Sequence, residues 1–225
     1  SDNIEPVNLP LDIAYEDDDI IVINKPFDMP AHPSAGNHDN TLANALMYYY
    51  GSQNKPFVYR CINRLDRDTT GLTIVAKHAL AGGILGNAVA KRAIHRTYYA
   101  VCSGCTPACM RISAPIARKD ASTIERCVDF KRGENAVTDF IRIKYNPDNN
   151  LSLVKLRLLT GRTHQIRVHM KYIGFPLIGD FLYNPDYTYI SRQALHSGRL
   201  VFTHPVTGQK MNLISDIPSD MKSLF

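Results

Sequence analysis

Two stretches of this sequence concentrate groups that can do chemistry. The first, "CINRLDRDTTGLTIVAK" (Cys61 to Lys77), packs Arg64, Asp66, Arg67 and Asp68 into five positions before an apolar run. An ionised carboxylate in such a place can serve as nucleophile or general base. The second, "LLTGRTHQIRVHMKYIGFPLIGD" (Leu158 to Asp180), carries Arg162, His164, Gln165, Arg167 and His169 at the start of a helical pattern. Arginines and a helix N-terminus together suit anions, whether phosphates or a carboxylate.

By residue type alone the first stretch has three readings. As a calcium loop counted from Asp66 it would need an acid at its last position, which Lys77 occupies, so that reading is excluded. Asp66, Asp68 and Thr70 also match the D-x-D-x-T of metal-dependent phosphatases, but "YRCINRL" is a poor buried parallel strand and the β-α alternation of that fold is missing. The third reading is a surface turn whose ions pair with one another and contribute little. In the second stretch His164 and His169 are five apart, which is not the spacing of a helical zinc pair. Hydrogen bonding at a helix start is the plain role for both. Cys102, Cys105 and Cys109 raise a zinc question that Cys61 or Cys127 would have to complete. Small buried thiols are common at a strand end, and no metal is expected.

Local pattern supplies the elements that must position these groups. Residues 11–25 read as two short strands around an acidic turn, Glu16 to Asp19, with Pro26 ending the second. A loop follows, and Thr41 caps a helix, "LANALMYYY", closed by Gly51. Leu72, Ile74 and Ala76 alternate with Thr73, Val75 and Lys77, the period of a strand with one buried face. Residues 79–92 are helical despite three glycines, and "RTYYAVCSG" is an apolar strand. Further strands are expected at 124–130, 136–145 and 151–160. In "THQIRVHMKYIG", Ile166, Met170 and Ile173 form an apolar stripe, with Arg167 and Lys171 on another face. Strands in neighbouring runs with few helices between them predict an α+β fold with a mostly antiparallel sheet. Residues 1–10 read as a tail or the remnant of a linker, and 11–225 as one domain.

Lysine plus arginine exceeds aspartate plus glutamate by 26 − 21 = 5, a mild excess that fits a nucleic-acid partner. No run of about 18 apolar residues suggests a membrane span. The N-terminus lacks the regions of a signal peptide, and five cysteines do not suggest a disulfide framework. A cytoplasmic monomer is expected.

Taken together, "NRLDRDTTGLTIVAK" and "TGRTHQIRVHMKYIGFPLIGD" resemble the two signature motifs of the RluA-type pseudouridine synthases, H-R-L-D-x-x-T-S-G and T-G-R-x-H-Q-I-R-x-H. "YEDDDIIVINKPFDMPAHPS" is similar to that family's opening strands, "RTYYAVCSG" to its tyrosine motif and "QALHSGRLVFTHPVTG" to its closing strand. The matches run from about residue 11 to 208. Asn63 stands where the family has histidine, and Thr70 where it has serine.

The resemblance implies a pseudouridine synthase fold, a mixed and mostly antiparallel sheet with flanking helices, and isomerisation of uridine in structured RNA without a cofactor. Large-subunit ribosomal RNA is the expected target and transfer RNA the alternative. A non-catalytic RNA-binding module and a metal-dependent phosphatase are the rivals from other classes. Asp66 is implied as the catalytic carboxylate, open to attack on C1′, removal of a C2′ proton or addition at C6. A cation beside it would keep it ionised, and in the family that cation is the arginine matching Arg167. Tyr98 matches the tyrosine that stacks on uracil, with Tyr99 on the opposite strand face. Arg64 is implied to enter the space left by the flipped base. Arg162, His164, Gln165, Lys91 and Arg92 are candidate RNA contacts, as are Arg96 and Lys171.

Overall fold

The computed structural model describes residues 4–120 and 124–225, so residues 1–3 of the expected tail lie outside it. The first elements are β1 (Ile13–Glu16), β2 (Ile20–Lys25), α1 (Leu42–Gly51), β3 (Thr70–Ala76) and α2 (Ala79–Ala90). Six strands follow: β4 (His95–Ser103), β5 (Cys109–Ser113), β6 (Ile116–Arg118), β7 (Arg126–Val128), β8 (Val137–Asn146) and β9 (Leu151–Leu158). Then come α3 (Gln165–Tyr172), β10 (Leu195–Thr203), β11 (Lys210–Ile214) and the single turn α4 (Ser219–Lys222). The stretch read as one domain divides into two compact units, Ser1–Ile94 with Arg199–Ser215, and His95–Gly198 with Asp216–Phe225. Among the described residues the pairs β1–β2, β2–β3, β4–β9, β5–β8, β6–β7, β8–β9 and β10–β11 are antiparallel, in keeping with the expected α+β class. Among the described residues no helix is long and apolar enough to cross a membrane.

In the first unit the acidic turn closes because Asp17 accepts the N–H groups of Asp19 and Ile20 at 2.9 Å, an Asx turn. β2 then pairs along β3 from Ile20 opposite Ala76 to Lys25 opposite Gly71. The expectation of one buried face on β3 is corrected, because all seven residues are buried. Leu72, Ile74 and Ala76 pack with Ala81 and Leu85 of α2 and with Leu200 and Phe202 of β10. Val75 packs with Leu42, Leu46 and Tyr50 of α1. Helices therefore cover both faces, and each large aliphatic side chain so buried stabilises by about 1.5–3 kcal/mol. Helix α1 starts as expected at Thr41, whose hydroxyl accepts from the Asn44 N–H while Asn44 Oδ1 accepts from the Thr41 N–H. The segment before β1 lies against this helix, with the Val7 N–H on the Asn44 carbonyl and Asn44 Nδ2 on the Glu5 carbonyl.

In the second unit the strands run β4, β9, β8, β5, while β6 and β7 form a separate hairpin. Met221 of α4 is fully buried with Val101, Leu151 and Ile178. Val168 of α3 packs with Ile116, Ala136 and Tyr183. Helix α3 carries the expected apolar stripe, and most of its polar residues are buried as well. Gln165, Arg167 and His169 are as buried as Ile166 and Met170, and only Lys171 and Tyr172 are exposed. A helix buried nearly all round requires partners for every polar side chain on it.

Candidate active site

The loop bearing Asp66 is built by the residues around it. Asn63, 4% exposed, gives an amide hydrogen to the Leu72 carbonyl at 3.1 Å and accepts the Ile74 N–H at 2.7 Å. Its own carbonyl accepts from the Thr73 hydroxyl at 2.8 Å. One side chain thus replaces two rungs of a ladder and clamps the loop to β3. An amide can both give and accept along a strand edge, and Asn63 uses both groups here. Leu65 is buried, Arg64 exposed and Asp66 half-buried. The Asp66 carbonyl accepts the Thr69 N–H at 3.1 Å and closes a tight turn.

Arg67 and Asp68 pair with each other across that turn. Their side chains form a two-pronged pair, and Asp68 also accepts the Asp28 N–H. Sequence reading missed Lys25. Its ammonium, 1% exposed, donates to the carbonyls of Pro26, Met29 and Arg67 at 2.8, 2.9 and 2.9 Å. The cation therefore ties the end of β2 to the residue directly after Asp66. The Lys-Pro pair was the available signal, and it was spent on ending the strand.

Tyr98 is buried on β4 opposite Leu156. Tyr99 takes the other face and joins the core around Val101 and Ile178, as its position in the strand requires. Arg167, 2% exposed, makes a bidentate pair with the fully buried Asp180, Nε to Oδ2 at 2.7 Å and Nη2 to Oδ1 at 2.8 Å. Its guanidinium also stands over the rings of Phe181 and Tyr183 at 5.5 and 5.0 Å. Asp180 Oδ1 accepts the N–H groups of Leu182 and Tyr183 too, so its charge is well compensated. Asp180 lay inside the quoted motif, but no role had been assigned to it.

The remaining candidates divide by exposure. Gln165 is buried with its amide fully used: Nε2 donates to the Val137 carbonyl and the Thr138 hydroxyl, and Oε1 accepts from Thr160 Oγ1 and the Arg162 N–H. The structure makes it a brace between β8, the end of β9 and α3. His169 continues that brace, with Nε2 donating to the Ala114 carbonyl at 2.8 Å and Nδ1 accepting from Thr138 Oγ1 at 2.9 Å. Burial pushes its pKa below the ordinary histidine value. His164 meets the Tyr183 hydroxyl at 2.8 Å, and burial raises the pKa of that tyrosine to about 12. Arg162 is exposed, paired with Glu134 and donating to the Asn135 carbonyl. Lys91 and Arg92 are exposed where α2 ends. Arg92 takes the left-handed conformation, φ 57°, that closes a helix.

Among the described residues one trio brings metal-ligating atoms together, Asp17, Asp19 and His204. Hydrogen bonds assign it otherwise. His204 Nδ1 accepts the N–H groups of Val206 and Thr207, so its proton sits on Nε2 and goes to Asp17 at 2.8 Å. A metal on Nε2 would force a proton onto Nδ1, against two N–H donors, so the trio fits a turn anchor and not a metal site. The five cysteines are free thiols, Cys102 in the core and Cys105 and Cys109 exposed, and they form no such group among the described residues.

Comparison with known proteins matches this architecture. Residues 19–172 fit the RNA pseudouridylate synthase family. Ribosomal large subunit pseudouridine synthase D of Zymomonas mobilis is 39% identical over 98% of this chain and 74% of its own length. An uncharacterized RNA pseudouridine synthase of Bacillus subtilis, YjbO, is 43% identical over 98% of this chain and 77% of its own. Among solved structures, human RNA pseudouridylate synthase domain containing 1 superposes with a TM-score of 0.76 at 26% identity, covering 92% of this chain and 83% of its own. The chain belongs to the RNA pseudouridylate synthase family, and it is an isomerase that converts uridine in RNA to pseudouridine.

Proposed function

We propose that this enzyme modifies large-subunit ribosomal RNA as a cytoplasmic monomer, with Asp66 as its catalytic carboxylate, Tyr98 against the uracil and Arg167 as the cation that keeps Asp66 ionised. The choice of RNA rests on the relatives, several of which are named for the large ribosomal subunit at 39–42% identity. The roles rest on the two motifs, residue by residue. The observation that carries the reading furthest is the buried, two-pronged hold of Asp180 on Arg167. A guanidinium held this way stays charged and keeps one orientation, which is what a carboxylate needs to remain ionised away from water.

The reaction breaks the N1–C1′ bond, turns the uracil and joins C5 to C1′; N1 gains a proton and C5 loses one. Three routes are open to Asp66, at C1′, C2′ or C6, and all need it ionised. Lys25, Arg67 and Asp68 hold the backbone after Asp66 and Asn63 the backbone before it, so the carboxylate meets the uridine without a large search. Arg64, exposed and two residues ahead, takes the space that the flipped base leaves, offsetting part of the few kcal/mol that unstacking costs.

Pseudouridine mapping of total RNA, with and without the gene, tests the reading. One or a few uridines of large-subunit ribosomal RNA are expected to lose modification, and wild type but not Asp66→Asn to restore them. Loss confined to transfer RNA would overturn the proposed target. Restoration by Asp66→Asn would overturn the proposed role. In the purified enzyme that substitution is expected to lower kcat by roughly 10⁴-fold, the upper range for one positioned group.

A further inference from the structure

The second unit holds a groove of about 500 Å³ lined by Arg118, Arg126, Arg132 and Arg162, with Glu134, Gly161 and Thr163 among its other walls. Gly161 brings this wall close to another side chain. A Cβ at that position would stand 3.0 Å from Nη2 of Arg96, so a fifth guanidinium packs against the same wall. Thr163 immediately precedes the cap of α3, where the helix presents its positive end.

The charges do not balance inside the groove. Arg132 is neutralised by Asp120 and Asp129, at 2.6 and 2.8 Å, and Arg162 by Glu134. Arg126 donates from Nη1 to the uncharged carbonyls of Ile124 and Glu125. Arg118 is exposed, and among the described residues no acid pairs with it. Arg118 and Arg126 are direct cross-strand partners in the β6–β7 hairpin. Like charges directly opposite each other destabilise a two-stranded ribbon, and an anion between them reverses the sign. The base of the hairpin is nevertheless built without slack. A Cβ on Gly133 would lie 2.4 Å from the Asp129 carbonyl oxygen and 2.7 Å from the Pro115 carbonyl carbon.

We infer that this groove is a docking site for the phosphate backbone of the substrate RNA, with Arg118 and Arg126 taking a phosphate between them and Arg132 and Arg162 held by their acids as its rigid sides. The inference rests on the RNA-modifying reading of the enzyme and adds where on the second unit the strand is gripped. Arginine suits the task because its planar fork matches two phosphate oxygens. Such contacts set affinity and register without reading sequence.

The test measures binding and turnover of a large-subunit ribosomal RNA fragment across a salt series for wild type, Arg118→Glu, Arg118→Lys and Arg111→Gln, the last lying outside the groove. Arg118→Glu is expected to weaken binding and raise KM about tenfold at moderate salt. It is also expected to flatten the slope of log affinity against log salt by about 0.7–0.9, the value of one phosphate contact. Arg118→Lys restores most of the slope, and Arg111→Gln leaves it at the wild-type value. Folding of each variant is checked by thermal melting. Wild-type affinity and slope in Arg118→Glu would overturn the groove while leaving the reaction intact. If wild type forms no pseudouridine in this fragment, the proposed target fails, and the binding arm with total RNA still decides the groove.

Discussion

Lys25 presents its three ammonium hydrogens to three backbone carbonyls, the last belonging to Arg67. Lys25→Met keeps the stem and removes the donors, leaving carbonyls that each cost about 1–3 kcal/mol when buried unpaired. The expected result is a drop in Tm together with a fall in kcat larger than the rise in KM, because the Asp66 loop loses its tie. Steady-state kinetics beside a thermal melt checks it. Arg167→Lys keeps the charge and loses the fork, so Asp180 keeps at most one of its two short contacts. Loss of one hydrogen bond to a buried charged group costs about 1.5–3 kcal/mol, and kcat is expected to fall at least ~100-fold, the scale of a small misplacement at a reacting group. For His169, burial lowers the folded-state pKa, so the unfolded chain binds the proton more readily. Its contribution is present in full above pH ~6.5 and is lost as pH falls below that value toward the folded pKa. Urea titrations from pH 8 to 5.5 are expected to show a steeper loss in wild type than in His169→Gln. Asp66 and Arg167 are proposed from the sequence because each lies in a motif that is a string of chemically specific types. Lys25, Asn63 and Asp180 are not, because a brace is defined by the distant backbone it meets.

The periods of β2, β3, α1 and α3 could be read directly, and so could the cap at Thr41. Burial of the second face could not. Thr73 and Val75 alternate with Leu72 and Ile74 in a way that also suits a half-solvated strand, and only the packing of α1 and α2 on opposite faces decides the matter. For α3 the pattern marked the apolar stripe and the hydrogen-bonding character of its histidines, but not which partners its polar residues meet. Gln165 and His169 have a closed chain of partners through Thr138. The β6–β7 hairpin is short and weakly patterned, so only part of it was expected. At this scale Gly133→Ala is the decisive change, because the atoms it would strike are backbone. A destabilisation of about 1–3 kcal/mol is expected from the forced shift, with weaker RNA binding if the hairpin opens. Urea unfolding and the salt series read the two effects separately.

For the whole molecule, charge and connectivity matter most. A net excess of 5 positive charges with arginines gathered in one groove predicts affinity that falls steeply with salt, while kcat at saturating RNA changes less. Neither unit is one continuous piece of chain, since β10 passes from the second to the first and residues 216–225 return to the second. Removing everything after Ser215 would take Met221 from its core and Asp220 from Arg192. The truncated protein is expected to lose the cooperative unfolding of the second unit, seen as protection lost in hydrogen exchange across β4 and β9.

The return of residues 216–225 sets an order for events at the ribosome. Every residue of the first unit, β11 included, has been polymerised before α4 emerges. The second unit, though it starts at His95, must wait for Met221 to fill its core. The first unit can therefore mature while the arginine-bearing hairpin is still waiting for its own domain to close.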